Sequence, residues 1–162
     1  NMKLTPAIKG GITGALMIIV SVLVFNAGLP GNSPVHYLVF AIFGGGIIWT
    51  LIAYKNSAAF TGKFGDLFNQ GFRTFIIPIL MMAAFTFIFN KIHPEFATES
   101  AKAYKAELVK DKSKLPNEID DEVKRYEKGY ATALVYGSIL GYLIIGAGVT
   151  ALASLTLTKR TS

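Results

Sequence analysis

The chain has 162 residues, 52% of them hydrophobic and 16% charged, with a net charge of +6; an average soluble domain is about 25% charged, so this composition falls outside that class. Zero cysteines exclude a disulfide framework and a thiolate metal site. The positive excess asks for an acidic partner surface, and the positions of the charges decide which one.

Lys3 and Lys9 come first, and from Gly10 to Tyr54 there is no Asp, Glu, Lys or Arg. At the soluble charge frequency a gap that long would arise on the order of a few times per million. A helix rises about 1.5 Å per residue and the hydrocarbon layer is about 30 Å thick, so about 20 apolar residues cross it. The gap therefore holds two crossings. Leu29-Pro30-Gly31-Asn32-Ser33-Pro34 divides them, because paired prolines and glycine end one helix and start another by a short turn. The predicted spans are 10–29 and 35–54. Lys3 and Lys9 ahead of an apolar run also resemble a secretory signal, but the run has span length and no small-x-small cleavage pattern follows, so it reads as a retained anchor.

Within these spans Gly10 and Gly14 stand four apart, and Gly44, Gly45 and Gly46 lie in the middle of the second. Small residues let helix backbones approach where packing, not hydrophobicity, drives association. These glycines, with Gly137 and Gly141 further on, are candidate faces for helix packing or for a partner. Tyr37 at one end of the second span and Trp49 and Tyr54 at the other fit interfacial aromatic belts.

The stretch FTGKFGDLFNQGFRT follows. Phe60, Phe64, Phe68 and Phe72, with Leu67 beside them, form one helical stripe, with Lys63, Asp66, Asn69 and Arg73 off it. This predicts an interfacial amphipathic segment over 60–70 that turns at Gly65 or Gly71 into a third span, 71–91. A phosphate-binding loop would need a strand before the glycines and a lysine with Ser or Thr after them, and neither is present.

Residues 92–128 change character. Ala97, Ala101, Tyr104 and Leu108 make one helical stripe and Ile119, Val123, Tyr126 and Tyr130 another, separated by DKSKLPN. A soluble helical hairpin over 94–128 is expected, with Pro94 in the first turn of one helix and Asn117 capping the other. Glu118, Asp120 and Asp121 suit the helix start, and Asp120 with Lys124 and Asp121 with Arg125 are favourable i, i+4 pairs. That explanation of the acidic cluster is preferred to calcium binding, since the spaced oxygen ligands and glycine of a calcium loop are missing. The second helix is expected to run on into a fourth span, 129–158.

The fold class is thus all-α: a polytopic membrane protein of four transmembrane helices, with an extramembranous helical hairpin between spans three and four. Lys3 and Lys9 before the first span favour cytoplasmic N- and C-termini and a periplasmic insert, although nine Lys or Arg between Lys91 and Lys128 count the other way. The same stretch holds nine acidic residues, so the net excess lies on the predicted cytoplasmic side, where anionic lipids of the bilayer supply the attraction and nucleic acid is unnecessary.

Apart from Arg73 and Lys91 at the ends of the third span, the spans hold no Asp, Glu, Lys or Arg and one histidine, His36, near an edge; His36 with His93 makes a poor metal signal, so no catalytic, cofactor or metal residue is assigned. The start "GGITGALMIIV", the loop "GKFGDLFNQGFRT" and the insert ending "EIDDEVKRYEKGY" resemble a family of small four-span inner-membrane proteins of Bacteroidota-type bacteria, grouped as a domain of unknown function. The resemblance covers nearly the whole chain and implies architecture and a bacterial inner membrane, with no activity to carry over. The expected function is a non-catalytic accessory or scaffold subunit contacting other membrane protein subunits through the glycine faces and the insert. The alternative is a small oligomeric transporter or channel with Asn26, Thr50, Thr86 and Asn90 along its path.

Overall fold

A computed structural model describes residues 4–30 and 33–158; Lys3, Gly31, Asn32, Lys159 and Arg160 lie outside the described residues. Five α-helices account for the described structure: α1 Pro6–Asn26, α2 Tyr37–Lys55, α3 Phe64–Ile92, α4 Glu95–Val109 and α5 Pro116–Thr158, with a 3-10 turn at Pro34–His36 ahead of α2. Four of them are long and apolar enough to cross a membrane: α1, α2 with its preceding turn, α3 and α5. The residues form two compact units, one comprising the chain up to Met82 and from Ile139 onward, the other Ala83–Ser138.

α1 begins ahead of the expected Gly10. Thr5 caps it by accepting the Ile8 N–H at 3.1 Å, and Pro6 occupies the first position, where a missing N–H costs nothing. It ends at Asn26 because Gly28 adopts φ 66°, a left-handed conformation that stops the helix before Leu29. Lys9 therefore sits inside the helix rather than flanking it. Its side chain is only 7% exposed, its ammonium donates to the Leu4 carbonyl at 2.9 Å, and it stands 5.6 Å from the centre of the Trp49 ring.

α3 also departs from expectation. Gly62 at φ 77° turns the chain, the Thr61 hydroxyl donates to the Asp66 carboxylate at 2.6 Å, and the helix runs unbroken from Phe64 through Gly65 and Gly71. No separate segment over 60–70 forms. Phe60 precedes the helix and meets Tyr54 edge-on at 5.6 Å. Phe64 and Phe72 are exposed, whereas Leu67 is fully buried.

In the first unit α1 packs on α2 and α3, and α3 on α5. Met17, Phe43, Ile47, Leu51, Leu67, Phe75 and Ile79 form its core. Phe43 sits edge-on to Tyr142 at 5.0 Å and to Phe75 at 6.5 Å, which ties α2 to both later helices. Pro78 is buried within α3.

The second unit contains the hairpin of α4 and the start of α5. Tyr104 stacks on Tyr126 at 4.5 Å and 18° between planes, and Ala101 and Ile119 are buried between the helices. α5 starts at Pro116, so Asn117 lies inside its first turn and does not cap it. Instead the Leu115 N–H donates to the Glu118 carboxylate at 3.1 Å, the reach-back half of a capping box. The ion pairs also differ from the expected ones. Asp120 meets Lys105 of α4 at 3.6 Å, and Glu122 meets Lys114 at 2.9 Å. At 43 residues, α5 is roughly 65 Å of helix, about twice what the hydrocarbon layer needs, so its charged start lies outside that layer if its apolar half spans it.

Candidate functional site

Three of the seven singled-out glycines make close contacts. A methyl group on Gly10 would collide with the Thr74 carbonyl oxygen and reach Ile77 Cβ at 3.0 Å; on Gly14 it would meet Pro78 Cα at 3.2 Å and the Met81 side chain; on Gly46 it would overlap Thr13, with Cβ at 2.9 Å. α1 is therefore held against α3 and α2 along lines that only glycine permits. Two further glycines do the same work and were not singled out from sequence. Gly71 faces the Thr150 side chain, with Oγ1 at 2.9 Å, and Gly146 faces the Phe75 ring, with Cγ at 2.9 Å. Gly71 thus serves packing rather than a bend. For Gly146 a signal was available, since it lies in an apolar uncharged run, but no i, i+4 glycine marked it, and Gly71 stands among Asn69, Gln70 and Arg73, where nothing pointed to packing.

Gly44, Gly45, Gly137 and Gly141 are open: nothing lies within 4 Å of where their Cβ atoms would be. Gly148 is open too, and with Gly141 and Ile144 it falls on one face of α5, because residues three, four and seven apart recur on the same side. Ile144 is 72% exposed there.

A short polar chain crosses the closed side of the same unit. The hydroxyls of Thr50 and Thr74 share a hydrogen bond at 2.7 Å, Thr74 also reaches the Pro6 carbonyl at 3.2 Å, and both threonines are buried. Thr13 donates to the Lys9 carbonyl at 2.8 Å. By contrast the hydroxyl oxygens of Thr150, Ser154 and Thr158, successive i, i+4 positions of α5, are buried without a partner.

The four residues of the transport alternative fall in different places. Thr50 is bonded to Thr74, while Asn26 ends α1, at the opposite end of the antiparallel α1–α2 pair. In the other unit Asn90 donates its amide N–H to the Thr86 carbonyl at 2.8 Å. Trp49, Phe64 and Phe72 are exposed, as interfacial aromatics would be. Among the described residues no group of three His, Cys, Asp or Glu side chains is placed to hold a metal ion.

In the hairpin the charges are partnered across the helices. Glu122 accepts from the Lys114 ammonium at 2.9 Å and from the Tyr104 hydroxyl at 3.2 Å, and Glu127 accepts from the Thr98 hydroxyl at 3.1 Å. The Lys114 hydrogen bond holds the Glu122 carboxyl below its ordinary value, and the same bond holds the Lys114 ammonium above its own. The Ser113 hydroxyl and N–H, donating to Asp111 at 2.7 and 3.1 Å, lower that carboxyl.

The model of a protein family described as "Protein of unknown function (DUF4199)" matches residues 9–159, that is, all four apolar helices and the hairpin. The chain belongs to that family. No curated protein and no solved structure matches this DUF4199 member. Its role is therefore argued from its own geometry.

Proposed function

We propose that this DUF4199 protein is a non-catalytic accessory or scaffold subunit of a larger complex in the bacterial inner membrane. In this reading its four apolar helices lie in the bilayer, its termini face the cytoplasm, and its hairpin stands in the periplasm as a second contact. The observation that carries it is the open face of α5 at Gly141, Ile144 and Gly148. Intramembrane glycines contribute by letting another backbone approach, and among the described residues nothing lies within 4 Å of a Cβ added at Gly141 or Gly148, although Gly10, Gly14, Gly46, Gly71 and Gly146 have close neighbours. A transmembrane helix of a partner subunit is the element that fits such a face. Lys55, Lys63 and Arg73 would meet anionic headgroups on the cytoplasmic side.

Purification in mild detergent should bring down fixed stoichiometric partners. Gly141→Leu should release them while leaving the protein's own thermal unfolding unchanged. Recovery of the wild-type chain only as a lone monomer, with a protease-labile hairpin, would sink the proposal.

One observation favours a second reading, a small transporter. The unpartnered hydroxyls of Thr150, Ser154 and Thr158 form a polar row buried along α5, where water or a small cation could supply the missing bonds. Liposome flux that disappears on Thr150→Val with Ser154→Ala, and not on Gly141→Leu, would favour it over the scaffold.

A further inference from the structure

The unit Ala83–Ser138 contains a half-open cavity of about 290 Å³ at the base of the hairpin, lined among others by Asn90, Lys91, Thr98, Glu127, Lys128 and Tyr130. Its volume is just below the roughly 300–1,000 Å³ of drug-sized sites, which suits a polar headgroup and not a bulky ligand. Its depth is set by sequence. Lys91 closes the uncharged stretch from Thr74 to Asn90, and Lys128 precedes the uncharged stretch from Gly129 to Thr158. Both ammonium groups therefore stand where apolar helix gives way to charged helix, the level of lipid phosphates in a bilayer.

The chemistry of the lining is two-sided. Lys91 lies over the Phe87 ring at 5.2 Å, and among the described residues neither Lys91 nor Lys128 has a carboxylate within ion-pair distance. These two cations ask for an anion. Glu127, bonded to Thr98 through Oε2, and Asn90 present acceptors in the same cavity. The Asn90 amide is oriented by its N–H bond to the Thr86 carbonyl, since the flipped amide would set oxygen against oxygen. That orientation leaves Asn90 Oδ1 buried with no partner. A buried acceptor without a donor is costly, so the site asks for an N–H or O–H group as well as an anion.

We propose that this cavity binds the headgroup of a phospholipid carrying a primary amine, with its phosphate between Lys91 and Lys128 and its ammonium against Glu127 and Asn90 Oδ1. A phosphatidylethanolamine headgroup meets every demand at once. A choline headgroup has the same phosphate but no N–H to donate. A purely anionic glycerol headgroup would satisfy the lysines and leave Glu127 facing no cation. The proposal rests on α3 and α5 spanning a bilayer and is independent of whether partner subunits exist.

The test uses the full chain in detergent, loaded from an equal mixture of phosphatidylethanolamine, phosphatidylcholine and phosphatidylglycerol with identical acyl chains, followed by native mass spectrometry of the retained lipid. Phosphatidylethanolamine should be retained about tenfold over phosphatidylcholine, a difference of about 1.4 kcal/mol. Lys128→Gln should lower total retention about tenfold, and Glu127→Gln should remove the amine preference while phospholipid still binds. Both positions are exposed, and unchanged helicity by circular dichroism verifies the fold. Where Lys128→Gln fails that control, Lys91→Gln takes its place. Equal retention of the amine and choline lipids, preference for phosphatidylglycerol, or displacement of bound lipid by inorganic phosphate would each overturn the assignment. Failure of the bilayer reading itself looks different, because the chain would then stay dispersed in buffer free of any amphiphile.

Discussion

The bundle unit and the hairpin unit are built from the same element, an α-helix against an α-helix, yet they are held by different forces. In the bundle, side chains are removed from the contact: Gly10, Gly14, Gly46, Gly71 and Gly146 bring backbones and side chains to van der Waals distance, and one threonine pair supplies the buried polar link. In the hairpin, side chains are added to the contact: stacked tyrosines, the Lys105–Asp120 pair and hydroxyl–carboxylate bonds span α4 and α5. Hydrocarbon offers no reward for burying a leucine, so shape must hold helices together there; water rewards burial of Tyr104 and Tyr126 but screens the charges around them. The two units should therefore fail in response to different insults.

The largest effect is expected where shape admits no adjustment. Gly10→Leu places side-chain atoms against the Thr74 carbonyl, part of the α3 backbone, and should prevent α1 from docking, with loss of folded protein in detergent. Even Gly10→Ala should cost about 1–3 kcal/mol, as overpacking of a dense core does. Gly44→Ala, with nothing within 4 Å, should leave thermal unfolding of the isolated chain unchanged. Equal sensitivity at Gly10 and Gly44 would break the contrast, because the bundle would then not depend on which glycine faces a neighbour.

A smaller effect tests the polar link. Thr74→Val removes the bond to Thr50 and leaves that hydroxyl buried and alone. A double-mutant cycle with Thr50→Val should return a coupling of about 0.6 kcal/mol and at most about 1.7 kcal/mol, the range for hydrogen bonds between membrane helices. Coupling near zero would mean that packing alone fixes α2 against α3.

Much of this was legible in the sequence, because the information lay in what was missing. Uncharged stretches of span length and the prolines between them located α1 and α2 within a few residues and the apolar parts of α3 and α5, although α3 begins at Phe64 and not at the expected Gly71, and the charged insert with its two apolar stripes marked α4 and the start of α5. The rotation of each helix was not legible. Spacing places Gly10 and Gly14 on one face, but only the neighbours of that face decide whether it is filled. Gly44, Gly45 and Gly46 are successive residues about 100° apart, so at most one of them can point at Thr13, and composition cannot say that it is Gly46. The ion pairs were missed for a similar reason. Asp120 and Lys124 share a helix turn, but Lys105 stands across the hairpin and competes for the same carboxylate. The left-handed Gly28 and the Thr5 cap shifted α1 toward its N-terminal side, where local backbone geometry outweighed the run of apolar residues.

On the hairpin side, Tyr104→Ala should loosen α4 from α5 by about 1 kcal/mol beyond the area lost, the worth of an aromatic pair. Amide exchange should rise in α4 and near Ile119, and stay unchanged around Phe43 and Phe75. Faster exchange in the bundle core as well would show that the two units share one cooperative transition, which the difference in their construction argues against.

The smallest and most selective effect is on pH. The Glu122 carboxyl is held below its ordinary value by Lys114, so its contribution to hairpin stability is present above that ordinary value and lost as pH falls through the depressed one. The Lys114 ammonium is held above its ordinary value by Glu122, so its contribution is complete below the ordinary lysine value and lost as pH rises through the raised one. Hairpin stability should then show a plateau between the carboxylate and lysine ranges, read from the ring resonances of the stacked Tyr104 and Tyr126. Glu95 and Asp111 are also depressed, by the Glu95 backbone N–H with His93 and by Ser113, so Glu122→Gln should flatten only part of the acid limb. It should also remove the alkaline loss assigned to Lys114, whose partner is then neutral. Raising the salt concentration should shrink both limbs, since these groups are water-exposed, and leave the glycine-packed bundle untouched. An acid limb that survives Glu122→Gln in full would place the pH response on Asp111 and Glu95 alone, and the Lys114–Glu122 bridge would then contribute nothing that holds α5 in register with the loop before it.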